Sequence, residues 1–414
     1  MFKAWFAIKL WKRVIGGLVL GLIVGLIFGE AAGVLKPIGD IFINLIKMLV
    51  IPLIFTTLVS GVTAMGSVAK LGSIGVKAIG LYLATTAVAI TIGLLVGIAF
   101  APGTGVEFVG VEPRPVADAP GVVERLINII PANPVAALAE GNVLSVIFFA
   151  IFFGVGVLLS GDKGKPVGNA IESAADVMLN ITHMVMELAP FGVFALIAWV
   201  AGTQGGDALL NIFTLVVAVY VACILHITLV YGGMIRVLLN LPLVRFFRGI
   251  LDAQIVAYST SSSSATLPVT ISCATDNLGL KRSVASSVLP LGATINMDGT
   301  ALYLGIVALF AAQALGIDLT FSDYLLIGLT ATLTSVGAAG IPSASLFLLA
   351  TVLQVFDVSA EQTALIVGFI LPFDRIMDMA RTVVNVSGDT AVATTVAKWE
   401  GQIDEEVFRT PAVV

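Results

Sequence analysis

Near the C-terminal end of the chain, the stretch FDRIMDMARTVVNVSGD sets Asp374, Asp378, Arg381, Asn385 and Asp389 in an otherwise apolar run. Spacings of four, three, four and four residues place all five on one face of an α-helix. Arginine stays charged at every relevant pH, and its planar fork matches a carboxylate through two hydrogen bonds. Asp378, one turn earlier, can receive an ammonium group. An arginine and an aspartate offered to one small solute describe a receptor for an acidic amino acid. Asn385 can bond a second carboxylate, and Asp389 at the far end remains for a cation. The competing reading is a salt-bridge network that only joins helices.

A second polar stretch, GATINMDGTALY, covers residues 292–303. Asn-x-Asp-Gly inside an apolar helix predicts local unwinding, because glycine and short side chains free backbone carbonyls. Those carbonyls, with Asn296 and Asp298, suit a small hard cation that takes oxygen ligands. A helix cap and turn is the plainer alternative.

The elements that must position these residues are membrane spans. The chain is 58% hydrophobic and 11% charged, with a mean hydropathy of +1.07, far outside the soluble range. A charged residue at the bilayer centre costs ~3 kcal/mol or more and usually faces a solute path. Apolar runs long enough to span occur at roughly 12–35, 40–67, 75–100, 134–160, 168–200 and 207–240. Gly17, Gly21, Gly25 and Gly29 form an every-fourth-residue stripe that lets a neighbouring helix approach closely. PANPVAALAEGNVL breaks the fourth run into helical pieces.

Beyond residue 244 the pattern changes. Segments 249–277 and 326–356 each carry an apolar arm, a polar tip of small residues (YSTSSSSATLPVT, then TSVGAAGIPSAS) and a second apolar arm. Each arm is too short to cross ~30 Å of hydrocarbon, and unwound backbone at that depth belongs where protein buries it or a cavity lies beside it. Both read as re-entrant hairpins, the first entering from the cytoplasm and the second from outside. Full spans follow at 280–313 and 360–397, so hairpin and helix repeat as a unit, the pattern of inverted repeats around a binding site.

Lysine and arginine crowd alternate short loops, which sets the N-terminus and the C-terminus in the cytoplasm. The basic, aromatic start MFKAWFAIKLWKR lacks a cleavage site and reads as a cytoplasmic flank. Cys223 and Cys273 lie in apolar context, without disulfide or metal-ligand spacing. His183 and His226 are isolated and read as packed or interfacial.

The NMDG stretch, the serine-rich first tip, the AGIP second tip and DMARTVVNVSGD resemble the glutamate transporter family, the dicarboxylate/amino acid:cation symporters, across essentially the whole chain. The resemblance is to the prokaryotic sodium–aspartate/glutamate symporter type. It implies an all-α polytopic membrane protein with eight transmembrane helices, two re-entrant helical hairpins and inverted repeats, assembled as a homotrimer and working as an elevator-type transporter. Scaffold helices would occupy 1–67 and 121–200; the mobile transport domain would comprise 75–100, 207–240 and the core 244–397. The implied ligands are an acidic amino acid and co-transported Na+, in a plasma membrane and among its lipids, with neither enzymatic activity nor a nucleic-acid partner. Substrate residues carried over from the family are Ser261, Ser263, Thr300, Ile341, Ser345, Asp378, Arg381, Thr382 and Asn385. One sodium site would map to Gly292, Asn296, Asn385 and Asp389. A second would map to Thr294, Ser335, Val336 and Ala338, and a third to Tyr82, Thr85, Thr86, Asn296 and Asp298.

The chain departs from the family in four places. Archaeal relatives carry an arginine where Ser261 stands, and mammalian ones where Met379 stands. Arg375, one turn before Met379, is expected to take that cationic role. Leu304 replaces the glutamate linked to proton coupling in mammalian relatives, leaving Glu187 as another protonatable group. Ser343 and Ser345 replace glycines in the second tip, which narrows the backbone freedom of a gate. Ala338 replaces a frequent threonine, with little effect expected because only its carbonyl would bind a cation.

Rival readings remain within the same fold and outside it. A proton-driven carrier of the same fold is the nearest, and retention of Asp389 favours sodium over it. Dicarboxylate relatives lack the aspartate matching Asp378, and neutral amino acid relatives lack the arginine matching Arg381. An intramembrane serine hydrolase would need a base beside Ser261–Ser264, for which neither histidine has the motif context. A substrate-gated ion channel is the remaining class, opposed by the arginine on the polar face.

Overall fold

The computed structural model describes residues 8, 10–64, 68–106, 127, 130–203, 205–336, 344–356 and 358–409, and the described residues are almost wholly helical. Helix α1 (Leu10–Phe28) runs through a 3-10 segment, Gly29–Leu35, into α2 (Lys36–Ala64), and α3 covers Val68–Phe100. The fourth apolar run is cut within PANPVAALAEGNVL, as expected, and two asparagines make the cuts. Asn133 caps α4 (Pro134–Glu140), accepting from the N–H groups of Val135 and Ala136 at 3.0 and 3.2 Å. Gly141, at φ 75°, ends that helix, and Asn142 caps α5 (Val143–Leu159).

The run at 168–200, expected as one span, is two helices: α6 (Lys165–Met186) and α7 (Ala189–Thr203), bent by 50°. Pro190 has no N–H to offer the Met186 carbonyl. At the bend, Glu187 accepts two hydrogen bonds from Arg13, at 2.7 and 3.2 Å. Glu187 is thus tied to α1. The glycine stripe of α1 lies against α7: a Cβ on Gly21 or Gly25 would stand 2.5 Å from the Phe194 or Ala198 carbonyl oxygen. The stripe is a helix-packing seam, as its spacing predicts.

Helix α8 (Gly205–Leu225) continues in π-helical segments His226–Tyr231 and Met234–Leu238, and the short α9 is Leu243–Gly249. The first helix–tip–helix unit is α10 (Leu251–Thr260) and α11 (Ser263–Ser272), joined at Ser261 and Ser262. Ser261 makes the turn in left-handed conformation, φ 53°, and Ser262 caps α11 by accepting from the Ala265 N–H at 3.1 Å. Helices α12 (Arg282–Ile295) and α13 (Asp298–Ala314) are separated at Asn296 and Met297, whose φ/ψ values of −86/89° and −116/49° leave the helical region. The predicted unwinding at NMDG is present.

The second unit is α14 (Phe321–Val336) and α15 (Ala344–Leu353); its tip, with Ala338, Ile341 and Ser343, lies outside the described residues. Helix α16 (Ala360–Trp399) opens with a capping box between Ser359 and Gln362 and runs 40 residues, about 60 Å at 1.5 Å per residue. Helix α17 (Glu405–Arg409) closes the described chain.

Among the described residues, four helical stretches are long and apolar enough to cross a membrane, or five if the bent pair counts as one. Helices α1, α2, α5, α6 and α7 pack chiefly on one another, and α3, α8, α12, α13 and α16 form a second group with α10 and α11 against it. Residues 298–312 of α13 are buried without exception, which puts this helix at the centre of the second group.

Candidate substrate and cation site

The polar face of α16 is buried along its length, and its two halves are built differently. In the N-terminal half, Arg381 is 1% exposed, and its Nη2 donates to Asp374 Oδ1 and Asp378 Oδ1, each at 2.9 Å. Its guanidinium carbon lies 3.9 Å from the centre of the Tyr303 ring on α13, a cation–π contact. Arg381 Nε and Nη1 and Asp374 Oδ2 find no hydrogen-bond partner among the described residues. Such buried groups cost free energy unless something pairs with them. A zwitterion with an extra carboxylate supplies both an acceptor for the arginine and a donor for the carboxylate.

The first tip reaches this half. Arg375, one residue after Asp374, donates from Nη2 to the Thr260 carbonyl at 3.3 Å, beside Ser261. Ser261 and Ser263 are both buried, as is Ser345 at the start of α15; the Oγ atoms of Ser261 and Ser345 are without partners among the described residues. Thr300 is buried in the first turn of α13, and Thr382 Oγ1 donates to the Asp378 carbonyl at 2.8 Å.

In the C-terminal half, Asn385 locks α16 to the start of α13: its Oδ1 accepts from the Gly299 N–H at 2.8 Å, and its Nδ2 points at Met297 Sδ, 3.2 Å away. Asn296 Nδ2 donates to Asp389 Oδ1 at 2.9 Å and to the Asn385 carbonyl at 3.2 Å, while Asn296 Oδ1 is unpartnered among the described residues. Gly292 makes room for this contact, since a Cβ there would sit 2.5 Å from both Asp389 Oδ1 and the Tyr82 hydroxyl. Gly292, Asn296, Asn385 and Asp389, predicted as one cation site, are thus brought together. An orphaned amide oxygen beside a carboxylate is a donor set for a small cation.

Asp298 is more fully served. Thr86 donates to its Oδ1 at 2.6 Å; Tyr231 donates to its Oδ2 at 2.7 Å, and His226 Nε2 lies 3.1 Å from the same oxygen. Tyr82 and Thr85 are buried nearby on α3, with their hydroxyls donating to the carbonyls of Val288 and Tyr82, each at 3.1 Å. The remaining set is looser. Thr294 has an exposed side chain, its hydroxyl and that of Ser335 are spent within their own helices, and Val336 ends α14.

Sequence reasoning missed Tyr231, Tyr303 and the bond from His226 to Asp298. A polar residue within an apolar span is a signal in itself, and His226 and Tyr231 carry it; which carboxylate they serve depends on how α8 meets α13.

Residues 10–399 match the model of the sodium:dicarboxylate symporter family. The chain is 39% identical over 406 residues to a proton/sodium-glutamate symport protein of Geobacillus stearothermophilus, covering 95% of each. It is 35% identical to a proton/glutamate-aspartate symporter of Bacillus subtilis, covering 94% of each. It is also 34% identical to a C4-dicarboxylate transport protein of Azorhizobium caulinodans, covering 96% of this chain and 90% of that one. With its buried polar face, broken central helix and match over nearly its whole length, the chain belongs to the sodium:dicarboxylate symporter family, whose members are membrane transporters and not enzymes.

Proposed function

We propose that this chain is a secondary active symporter that takes up aspartate or glutamate together with sodium across the plasma membrane. The observation that carries the reading is the buried group of Arg381, Asp374 and Asp378, which leaves guanidinium donors and one carboxylate oxygen unpaired among the described residues. The solute that suits it has two carboxylates and an ammonium group. Asp378 favours an amino acid over a simple C4-dicarboxylate, which has no ammonium to give. Sodium would be held at Asn296, Asn385 and Asp389, where the unpaired atom is an oxygen acceptor.

Movement follows an elevator scheme in this reading. Eight spans and two re-entrant hairpins form a homotrimer with both termini cytoplasmic, and the α3, α8, α10–α16 group slides as a body against the α1, α2, α5–α7 group. What supports the division is that each group packs chiefly within itself. The glycine seam between α1 and α7 belongs to the stationary part.

A second reading keeps the fold and the substrate but couples uptake to protons. It is favoured by relatives named for proton symport. Uptake of radiolabelled aspartate into liposomes, with an inward sodium gradient or an inward proton gradient, separates the two. Uptake with sodium alone supports the first reading, uptake with protons alone the second. Uptake with neither overturns both.

A further inference from the structure

We infer that Arg375 is a second determinant, beside Arg381, of selectivity for acidic over neutral amino acids at this site, an inference that rests on the acidic amino acid reading above. The four charged residues of the N-terminal half lie within two turns of α16: Asp374, Arg375, Asp378 and Arg381. At about 100° per residue, Arg375 and Arg381 flank Asp378 from opposite sides of the helix face. Without Arg375, two carboxylates and one guanidinium leave the pocket with an excess negative charge. An anionic substrate, itself carrying two carboxylates against one ammonium, would then enter a like-charged, buried site. Arg375 brings the sum to zero.

The geometry of Arg375 fits a group that meets a ligand as well as the protein. It is 8% exposed, and one nitrogen, Nη2, donates to the Thr260 carbonyl at 3.3 Å. That carbonyl lies at the C-terminal end of α10, the negative end of a helix dipole. The bond holds the guanidinium at the first tip, next to Ser261. Nε and Nη1 are left without partners among the described residues. A purely structural arginine at this burial would use its remaining donors on carbonyls or carboxylates. Two unused donors beside a tip of buried serines are the complement of a carboxylate.

The test compares wild type, Arg375→Gln and Arg375→Lys in liposomes. It reads the KM for aspartate uptake and the inhibition of that uptake by asparagine, which replaces the second carboxylate with a neutral amide. Loss of one charge-assisted contact corresponds to roughly a tenfold to hundredfold rise in KM. Arg375→Gln is expected to show that rise for aspartate while asparagine inhibits at least as well as before, and Arg375→Lys to recover part of the loss. An unchanged KM, or equal losses for aspartate and asparagine, overturns the inference and leaves Arg375 as a tether for the tip. If Arg375→Gln fails to fold, Arg375→Lys decides on the same two readouts. Wild type that takes up no acidic amino acid defeats the transport reading itself, a result distinct from any difference between variants.

Discussion

The two halves of the α16 polar face differ in the sign of what they leave unpaired. Around Arg381 the unused atoms are four nitrogen donors, two each on Arg375 and Arg381, together with a carboxylate oxygen of Asp374 and the hydroxyls of Ser261, Tyr303 and Ser345. Around Asp389 the unused atom is an oxygen acceptor, Asn296 Oδ1. Hydrogen-bonding capacity left over in a buried site is a cast of its ligand, because an unpaired buried group costs ~1–3 kcal/mol until something meets it. In the proposed reading the first half is a cast of an anion with an ammonium, the second of a cation. Asn385 lies between the halves, its side-chain oxygen spent on Gly299 and its carbonyl on Asn296, so it ties both to the start of α13.

The largest break in this comparison is expected from Arg381→Ala. It strands Asp374 and Asp378 in a buried site, at a cost of about 3–5 kcal/mol; aspartate uptake should vanish, and folded yield should fall. Asp389→Asn removes the charge at the cation end. The sodium concentration for half-maximal uptake should rise about tenfold or more, with aspartate affinity at saturating sodium much less affected. Gly292→Ala places a methyl against Asp389 and Tyr82. Such overpacking costs roughly 1–3 kcal/mol, and it should appear as weaker sodium activation together with a lower melting temperature. The smallest effect belongs to His226→Leu: Asp298 keeps Thr86 and Tyr231, so stability should drop by ~1 kcal/mol with little change in the KM for aspartate. A large KM change in that variant would mean that the Asp298 group is coupled to the anion half as strongly as Asn385 is.

Much of this arrangement is legible in the sequence where the cause is local. Asn133 and Asn142 cut the fourth run because they are capping residues, the NMDG break follows from short side chains and glycine, and the α16 face follows from spacing alone. The bend between α6 and α7 had a local sign, Pro190, inside an apolar run that otherwise reads as one span. What the sequence conceals is pairing at a distance. Asp298 is met by Thr86 from α3 and by His226 and Tyr231 from α8, and Arg381 rests on Tyr303 of α13. No periodicity encodes which of several buried polar residues will face one another. Asp374 likewise reads as another member of the polar face, whereas its place two turns before Arg381 makes it a partner of that guanidinium.

The central claim is that one helix face holds an acidic amino acid at one end and a sodium ion at the other. Calorimetric titration of the purified protein with aspartate, at a series of sodium concentrations and constant ionic strength, tests it most directly. The account predicts that the aspartate Kd falls as sodium rises, and that Asp389→Asn weakens this dependence. An aspartate Kd indifferent to sodium in the wild-type protein would contradict it.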